Sequence, residues 1–395
     1  MMAHWNPALT ATSAPPIMEA RRWLDGVAFP PDRPLLNVSQ AAPVDPPPLA
    51  LREALADAAL NTPEAHLYGP VLGNENLRAE LAAQWSVAYG APIAPGNVAI
   101  TQGCNQAFTA AIASLAQSGD EVILPTPWYF NHAMWLNMNS IRPVPLPTGP
   151  DLLPDPELAQ TLITDRTRAI VLVSPNNPGG VEYPATLIER FRDLARSKGI
   201  ALIVDETYRD FDSRDGAPHP LFQDPDWADT FIHLYSFSKV FRLTGHRVGA
   251  IVAGAARMVE IEKFLDCVSI SASQMGQIGA LWGLRNLGDW VASERAEILA
   301  RRAAMVEGLQ SLPGWKMLGC GAYFTYVQHP QGMSSPAFCQ HLVQTAGILM
   351  LPGTMFHPPG QGDGTARIAF ANIDMAGINT LFTRLHALAP SAPKP

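Results

Sequence analysis

Four continuous apolar runs constrain this chain more than any other feature: Glu121-Val122-Ile123-Leu124, Ala169-Ile170-Val171-Leu172-Val173, Ala201-Leu202-Ile203-Val204 and Phe231-Ile232-His233-Leu234. A strand wetted on one side alternates polar and apolar residues, whereas a run without alternation suits a strand covered on both faces. Between two of the runs, Ala185 to Lys198 has helical periodicity, so strand, helix and strand follow one another. The expected class is therefore α/β, a mostly parallel sheet with helices on both faces. Open sheets of this kind bind ligands beyond the carboxyl ends of their strands, and the chemically promising segments of the chain fall there.

Further elements flank this centre. Helices are expected from Pro47 through Leu60 and from Asn76 to Tyr89, and a short strand at Asn97 to Thr101 leads through Gly103 into the helix Ala107 to Leu115. The proline clusters Pro30 to Pro48 and Pro143 to Pro156 read as extended connections. Residues 1–34 read as an irregular arm with one helical piece around Met18 to Leu24. After about Asp289 the stripe Val291, Ile298, Met305, Leu309 and Leu312 predicts a long amphipathic helix, followed by strands near Tyr323 to Val327 and Ala366 to Phe370. The expected division is residues 1–45 as an arm joining the small domain, 46–289 as the large domain and 290–395 as a smaller α/β domain.

Composition narrows the class of function. A chain of 395 residues can bury a sizeable core, and its net charge of -8, without a basic run, argues against nucleic acid as a partner. No stretch of eighteen apolar residues and no signal segment appear, and Cys104, Cys267, Cys320 and Cys339 match neither a zinc spacing nor a disulfide framework. A cytoplasmic protein with reduced thiols, no metal and no membrane partner is expected.

Lys239 gives the chemistry a centre. It lies in Tyr235-Ser236-Phe237-Ser238-Lys239, and Arg247 follows in Thr244-Gly245-His246-Arg247. A lysine amine can form a Schiff base with an aldehyde, while Ser236, Ser238 and the guanidinium of Arg247 can hold a phosphate dianion; pyridoxal 5'-phosphate combines the two. Asp205 ends an apolar run in Val204-Asp205-Glu206-Thr207-Tyr208, where a protonated pyridine nitrogen would offset the cost of burying its charge. A helix cap and ordinary packing are the competing readings of Asp205 and Tyr208. Asn177, in Ser174-Pro175-Asn176-Asn177-Pro178-Gly179-Gly180, is either a turn residue or an amide donor to the ring oxygen. Thr101-Gln102-Gly103-Cys104-Asn105-Gln106 offers free N–H groups at a helix start, a natural seat for phosphate. Neither G-x-G-x-x-G nor G-x-x-x-x-G-K occurs, which weakens dinucleotide and P-loop alternatives.

Taken in order, these motifs resemble the class I/II aminotransferases, fold-type I pyridoxal-phosphate enzymes, from about Asn37 to Asn372. The resemblance implies that Lys239 forms the internal aldimine and later shuttles a proton, and that Asp205 pairs with the pyridine nitrogen. It further implies that Tyr208 and Asn177 bond the ring oxygen, and that Ser236, Ser238, Arg247 and the N–H groups around Cys104 and Asn105 hold the phosphate. Tyr129, in Pro125-Thr126-Pro127-Trp128-Tyr129, falls where the family stacks an aromatic on the ring, although Trp128 beside it competes for that place. Arg367, in Thr365-Ala366-Arg367-Ile368-Ala369-Phe370, falls where the family grips the substrate α-carboxylate; an arginine at a wetted strand edge is the alternative. Tyr68 resembles the tyrosine that reaches the neighbouring subunit's cofactor, which implies a homodimer with shared sites.

Departures from the family lie on the substrate side. Ala41 replaces a glycine near the expected carboxylate wall, and His132 replaces an aromatic, where a core or surface histidine is the plainer reading. Arg242 replaces a small residue and either faces solvent or offers a cation to an acidic substrate; His357 replaces a glycine in a loop expected near the entrance. The expected activity is ping-pong transfer of an amino group between an α-amino acid and a 2-oxo acid. The rivals are β- or γ-elimination or ring closure like that of aminocyclopropane-carboxylate synthases on the same scaffold, and a binding or regulatory homologue without catalysis.

Overall fold

The apolar runs form the middle of one large sheet. The computed structural model describes residues 4–43, 45–330 and 332–388. Its strands among these residues are β1 Leu36–Asn37, β2 Val98–Thr101, β3 Glu121–Thr126, β4 Arg142–Pro147, β5 Thr167–Val173, β6 Ala201–Asp205, β7 Phe231–Ser236, β8 Gly249–Val252, β9 Lys316–Gly321, β10 Phe324–Gln328, β11 Ile348–Leu349, β12 Leu351–Pro352 and β13 Thr365–Ile368. Seven of them form a sheet in the order β2-β8-β7-β6-β5-β3-β4. Only β8 runs against its neighbours, pairing antiparallel with both β2 and β7.

This topology brings strand ends together. The register sets Val173 opposite Asp205, and Asp205 opposite Leu234. At one edge Gly249, which begins β8, lies opposite both Thr101 and Ser236, the last residues of β2 and β7. Four separated segments therefore open on one side of the sheet: the turn after Thr101, the turn after Val173, the residues after Asp205 and the run from Ser236 to Lys239.

The segment Arg142–Pro147, expected as part of an extended connection, is the outermost strand and pairs in parallel with β3. Its prolines stand at alternate positions, 143, 145 and 147. The Arg142 N–H donates to Asp120 O (2.8 Å) and the Thr148 N–H to Thr126 O (3.3 Å), so the even positions serve the ladder and the prolines, which have no N–H, face the open edge.

Helices cover both faces. On one, Leu49–Asn61, Glu75–Tyr89, Ala185–Ser197 and Gln274–Asn286 enclose a core that includes Leu81, Trp85, Ile188, Phe191 and Tyr235. On the other, Cys104–Ala113, Phe130–Met138 and Ala255–Ser269 pack over Phe108, Val122, Val171 and Ile203. Asn74 caps its helix by accepting from the Asn76 and Leu77 N–H groups (2.9 and 3.2 Å), and Gly90 ends it in the left-handed conformation.

The helix Gly288–Gln310 passes from this core to a second one. Trp290 and Val291 pack on the large core, while Ile298, Met305 and Leu309 sit in the other with Phe324, Ile368 and Phe370. There β12-β13-β10-β9 form an antiparallel sheet. The N-terminal arm joins this side, since β1 pairs in parallel with β11. It is more regular than expected, with helices Pro7–Ala11 and Pro16–Arg22. No helix among the described residues is long and apolar enough to cross a membrane.

Candidate active site

A cavity of about 270 Å³ opens where the strand ends converge, and Lys239 lines it. The other expected residues around it are Cys104, Asn105, Tyr129, Asn177, Asp205, Tyr208, Ser236, Ser238, Arg247, Arg367 and Ala41. Tyr68 is the exception: it is 80% exposed and lies outside this wall.

Lys239 follows directly from β7. The Ser236 side chain caps the short helix Phe237–Val240 by accepting from the Ser238 N–H, which turns Lys239 inward. Its Nζ donates to Ala41 O at 2.6 Å. Burial, with Arg247 and Arg367 nearby, lowers the ammonium pKa to about 8.

Asp205 is buried at the end of β6 and takes the Thr207 N–H on Oδ1 (3.0 Å) and the Cys104 thiol on the same oxygen (3.4 Å). Burial raises its pKa, with the Thr207 and Cys104 hydrogen bonds opposing. Its one titratable contact across Oδ2 among the described residues is His132 Nε2 at 3.5 Å. His132 is no surface residue: it stacks on Phe108 with ring centroids 3.9 Å apart, and burial pushes its pKa down to about 3, so it is neutral. The Asp205 carboxyl thus faces the cavity without a lysine or arginine partner, the setting in which a cationic ring nitrogen fits.

A phosphate fits at the opposite end. The helix Cys104–Ala113 begins here, and the first N–H groups of a helix have no intrahelical partner. Gly103 has φ +79, and a Cβ there would collide with the guanidinium of Arg247. A Cβ on Gly249 would lie 2.7 Å from the Cys104 N. Two glycines therefore let Arg247, Ser236 and the helix start close on a single point.

Arg367 lies in β13, between β12 and β10, and is buried, so it is not at a wetted edge. Its Nη1 donates to Asn177 Oδ1 (2.8 Å) and its Nη2 to Ser39 O, while Nε is buried without a partner. The guanidinium sits over Phe324 and Phe356 at 4.9 and 4.8 Å. Burial lowers its pKa to about 10, so it keeps its charge near neutrality. With Asn177 Oδ1 occupied, the Nδ2 donor is what that amide has to offer a ligand.

The aromatic pair at the end of β3 divides. Trp128 belongs to the core and donates its backbone N–H to Phe356 O (2.8 Å), whereas Tyr129 lines the cavity. The Tyr129 hydroxyl donates to Asn105 Oδ1 (3.3 Å) and accepts from Asn131 Nδ2 (2.9 Å). Burial raises its pKa to about 12, so the phenol stays protonated.

Two of the departures lie elsewhere. Arg242 neither faces solvent nor lines the cavity, because it pairs with Glu294 (2.6 Å) and Asp45 (3.4 Å) over the ring of Trp290. His357 does not line the cavity either; its Nε2 lies 3.3 Å from the Tyr326 hydroxyl, and burial lowers its pKa to about 4. Conversely, Ile17, Gln40, Phe130, Asn131, Val173 and Thr207 line the site without having stood out in the sequence. Phe130 and Asn131 follow Tyr129 directly, a proximity that was available as a signal; Ile17 had none. Among the described residues no cluster of His, Cys, Asp and Glu could hold a metal ion.

Most of the chain has relatives. The family described as aminotransferase class I and II matches residues 33–385. An aspartate aminotransferase of Pyrococcus horikoshii is 32% identical over 330 residues, covering 82% of this chain and 83% of that protein. The arginine–pyruvate transaminase AruH of Pseudomonas aeruginosa is 30% identical over 301 residues, with coverage of 75% and 76%. Among solved structures, a single mutant of Thermus thermophilus aspartate aminotransferase superposes with a TM-score of 0.88 at 23% identity, over 98% of this chain and 100% of that one. The N-succinyldiaminopimelate aminotransferase of Mycobacterium tuberculosis also gives 0.88, at 25% identity and the same coverage. With its fold, its cavity and this match over most of its length, the chain belongs to the class I and II aminotransferase family and is a transaminase.

Proposed function

We propose that the chain holds pyridoxal 5'-phosphate on Lys239 and passes an amino group from an α-amino acid to a 2-oxo acid in two half-reactions. One observation carries this reading: a half-buried lysine, a buried carboxyl without a lysine or arginine partner and a buried arginine meet in one cavity. When bound, the cofactor supplies an electron sink for the bond broken at Cα. Everything else is the work of this chain. Arg247, Ser236, Ser238 and the N–H groups at Cys104 and Asn105 would grip the phosphate, while Asp205 would pair with the ring nitrogen and keep it protonated. Tyr208 and Asn177 Nδ2 would donate to the ring oxygen, and Tyr129 would lie over the ring.

Arg367 binds the substrate α-carboxylate, aligned by Asn177 and the Ser39 carbonyl. With its amine free, Lys239 Nζ would be the group placed to take the proton from the substrate Cα and to hand it back; its pKa, lowered to about 8, suits a base near neutrality. The substrate side chain lies against Ile17, Gln40, Phe130 and Asn131. Residues 46–289 are the cofactor-carrying domain, and residues 290–395 with the arm 1–45 form the smaller one.

Two chains share their sites in this reading. Support comes from the apolar side chains Leu67, Tyr68, Val268 and Ile270, which are exposed, and from the Gly69 N–H donating to Ser271 Oγ (3.4 Å), which brings the two segments together. The four free thiols suit a reducing cytoplasm.

Borohydride reduction of the cofactor-loaded protein followed by peptide mass spectrometry tests the assignment. The added mass is expected on the peptide carrying Lys239, and Lys239→Ala is expected to lose both the mass and the visible band. Full labelling of another lysine in Lys239→Ala would refute it.

A further inference from the structure

Behind the cavity, on the opposite face of the sheet, lies a second polar cluster that none of the chemistry above uses. Asp205 and Glu206 are consecutive, so their side chains go to opposite faces. Glu206 is fully buried, and the two histidines beside it, His219 and His233, pack against Phe222 and Phe231. Its Oε2 accepts from His233 Nε2 at 2.9 Å and from the Tyr89 hydroxyl, and its Oε1 lies 3.1 Å from His219 Nε2 without the alignment of a hydrogen bond. His219 Nδ1 accepts the Leu221 N–H (3.3 Å), which leaves the ring proton on the nitrogen facing Glu206. Burial alone would raise the Glu206 pKa, but His219 and His233 outweigh it and hold the carboxyl well below its usual range.

The neighbouring residues are tied down in the same way. Arg209 lies over the rings of Trp85 (4.3 Å) and Tyr89 (4.8 Å) and donates to the Tyr89 hydroxyl at 3.2 Å. The Tyr235 hydroxyl donates to Asp210 Oδ2 at 2.6 Å. Glu206, Arg209 and Asp210 surround the short turn that carries Asp205 and Tyr208 toward the cavity. His233 and Tyr235 belong to β7, whose end carries Ser236 and leads to Lys239.

We propose that Glu206, His219, His233, Tyr89 and Arg209 form a positioning network that fixes Asp205 and Tyr208 relative to Lys239, and so sets the affinity and the proton equilibrium of the lysine-bound cofactor. The proposal rests on the cofactor reading given above. Burying the Glu206 carboxylate carries a desolvation cost, and a buried ionic cluster is often no more stable than a packed apolar substitute. The surrounding aromatic core could supply that substitute. What the ionic network provides instead is direction: it links the two strand ends at named atoms, where an error of about 1 Å in a reacting group can cost roughly a hundredfold in rate.

Glu206→Gln removes the charge and keeps the shape. In the cofactor-loaded protein it is expected to weaken cofactor binding by about tenfold or more and to move the pH midpoint of the visible band by about half a unit or more. Glu121→Gln is the control. Glu121 is a buried carboxylate paired with Arg142 (2.6 Å) and Arg166 (2.9 Å) at the far end of β3, so this change is expected to lower the melting temperature and leave both cofactor readouts in place. If Glu206→Gln behaves like Glu121→Gln, the network is merely structural and the proposal falls. Should Glu206→Gln fail to fold, Tyr89→Phe, which removes one hydroxyl, decides by the same two readouts. A wild-type protein without any lysine-dependent band would instead overturn the cofactor reading, and the proposal with it.

Discussion

At the scale of single residues, the site is a set of charges removed from water and left to wait for partners. Lys239 is the clearest case, because burial and two nearby guanidinium groups lower its pKa to about 8. Only the neutral amine attacks an aldehyde, so the rate of cofactor loading is expected to rise with pH and level off above about 8, whereas an ordinary lysine would keep gaining up to roughly 10.4. Stopped-flow absorbance on the cofactor-free protein checks this, and a rate still climbing steeply above pH 9 would contradict it. Arg367 makes a second case. Arg367→Lys keeps the charge but loses the fork, so KM for the amino acid is expected to rise by roughly a hundredfold, equivalent to about 3 kcal/mol, with cofactor affinity unchanged. Steady-state kinetics beside a cofactor titration separates the two effects. Such residues were legible in the sequence as misfits: a carboxylate ending an apolar run, an arginine inside an apolar strand. His132 was not, because its meaning lies in the approach of the helix Phe130–Met138 to Asp205 at a strand end, and spacing along the chain does not report that distance.

At the scale of elements, turns bring the charges to one place. Gly103 does so at the phosphate end, with φ +79 and no room for a Cβ beside Arg247. Gly103→Ala is expected to keep the fold and weaken cofactor binding by about tenfold or more, since the extended positive-φ conformation (φ 79, ψ 169) costs an L-residue about 1–3 kcal/mol and Arg247 must also move. Equilibrium dialysis measures it, and an unchanged dissociation constant would show that the close approach does not matter. The buried parallel strands and the amphipathic helix Gly288–Gln310 were legible because unbroken apolar runs and a 3.6-residue stripe each have one simple structural cause. The edge strand Arg142–Pro147 was harder to see. Proline argues against a strand in general, and only its alternation with ladder donors, visible once β3 lies alongside, permits one here.

At the scale of the whole molecule, the site is assembled from the far ends of the chain. Ile17, Gln40 and Ala41 come from the arm, Arg367 from near the C-terminus, and Lys239 and Asp205 from between them. Ala41 was legible in the arm, but Ile17 had no motif, and its place against the cavity appears only in the fold, where β1 pairs with β11. In the proposed dimer, the exposed Leu67, Tyr68, Val268 and Ile270 would meet a second chain. Sedimentation is expected to show a dimer, and Ile270→Asp to dissociate it and weaken the cofactor; a monomer with full affinity would remove Tyr68 from the site. The central claim, that this cavity moves an amino group rather than expelling it, is tested most directly by a half-reaction: the cofactor-loaded protein mixed with one amino acid and no acceptor. The expected result is stoichiometric loss of the visible band, without free ammonia, and its return on adding a 2-oxo acid. Ammonia accumulating over many turnovers while the band persists would contradict it.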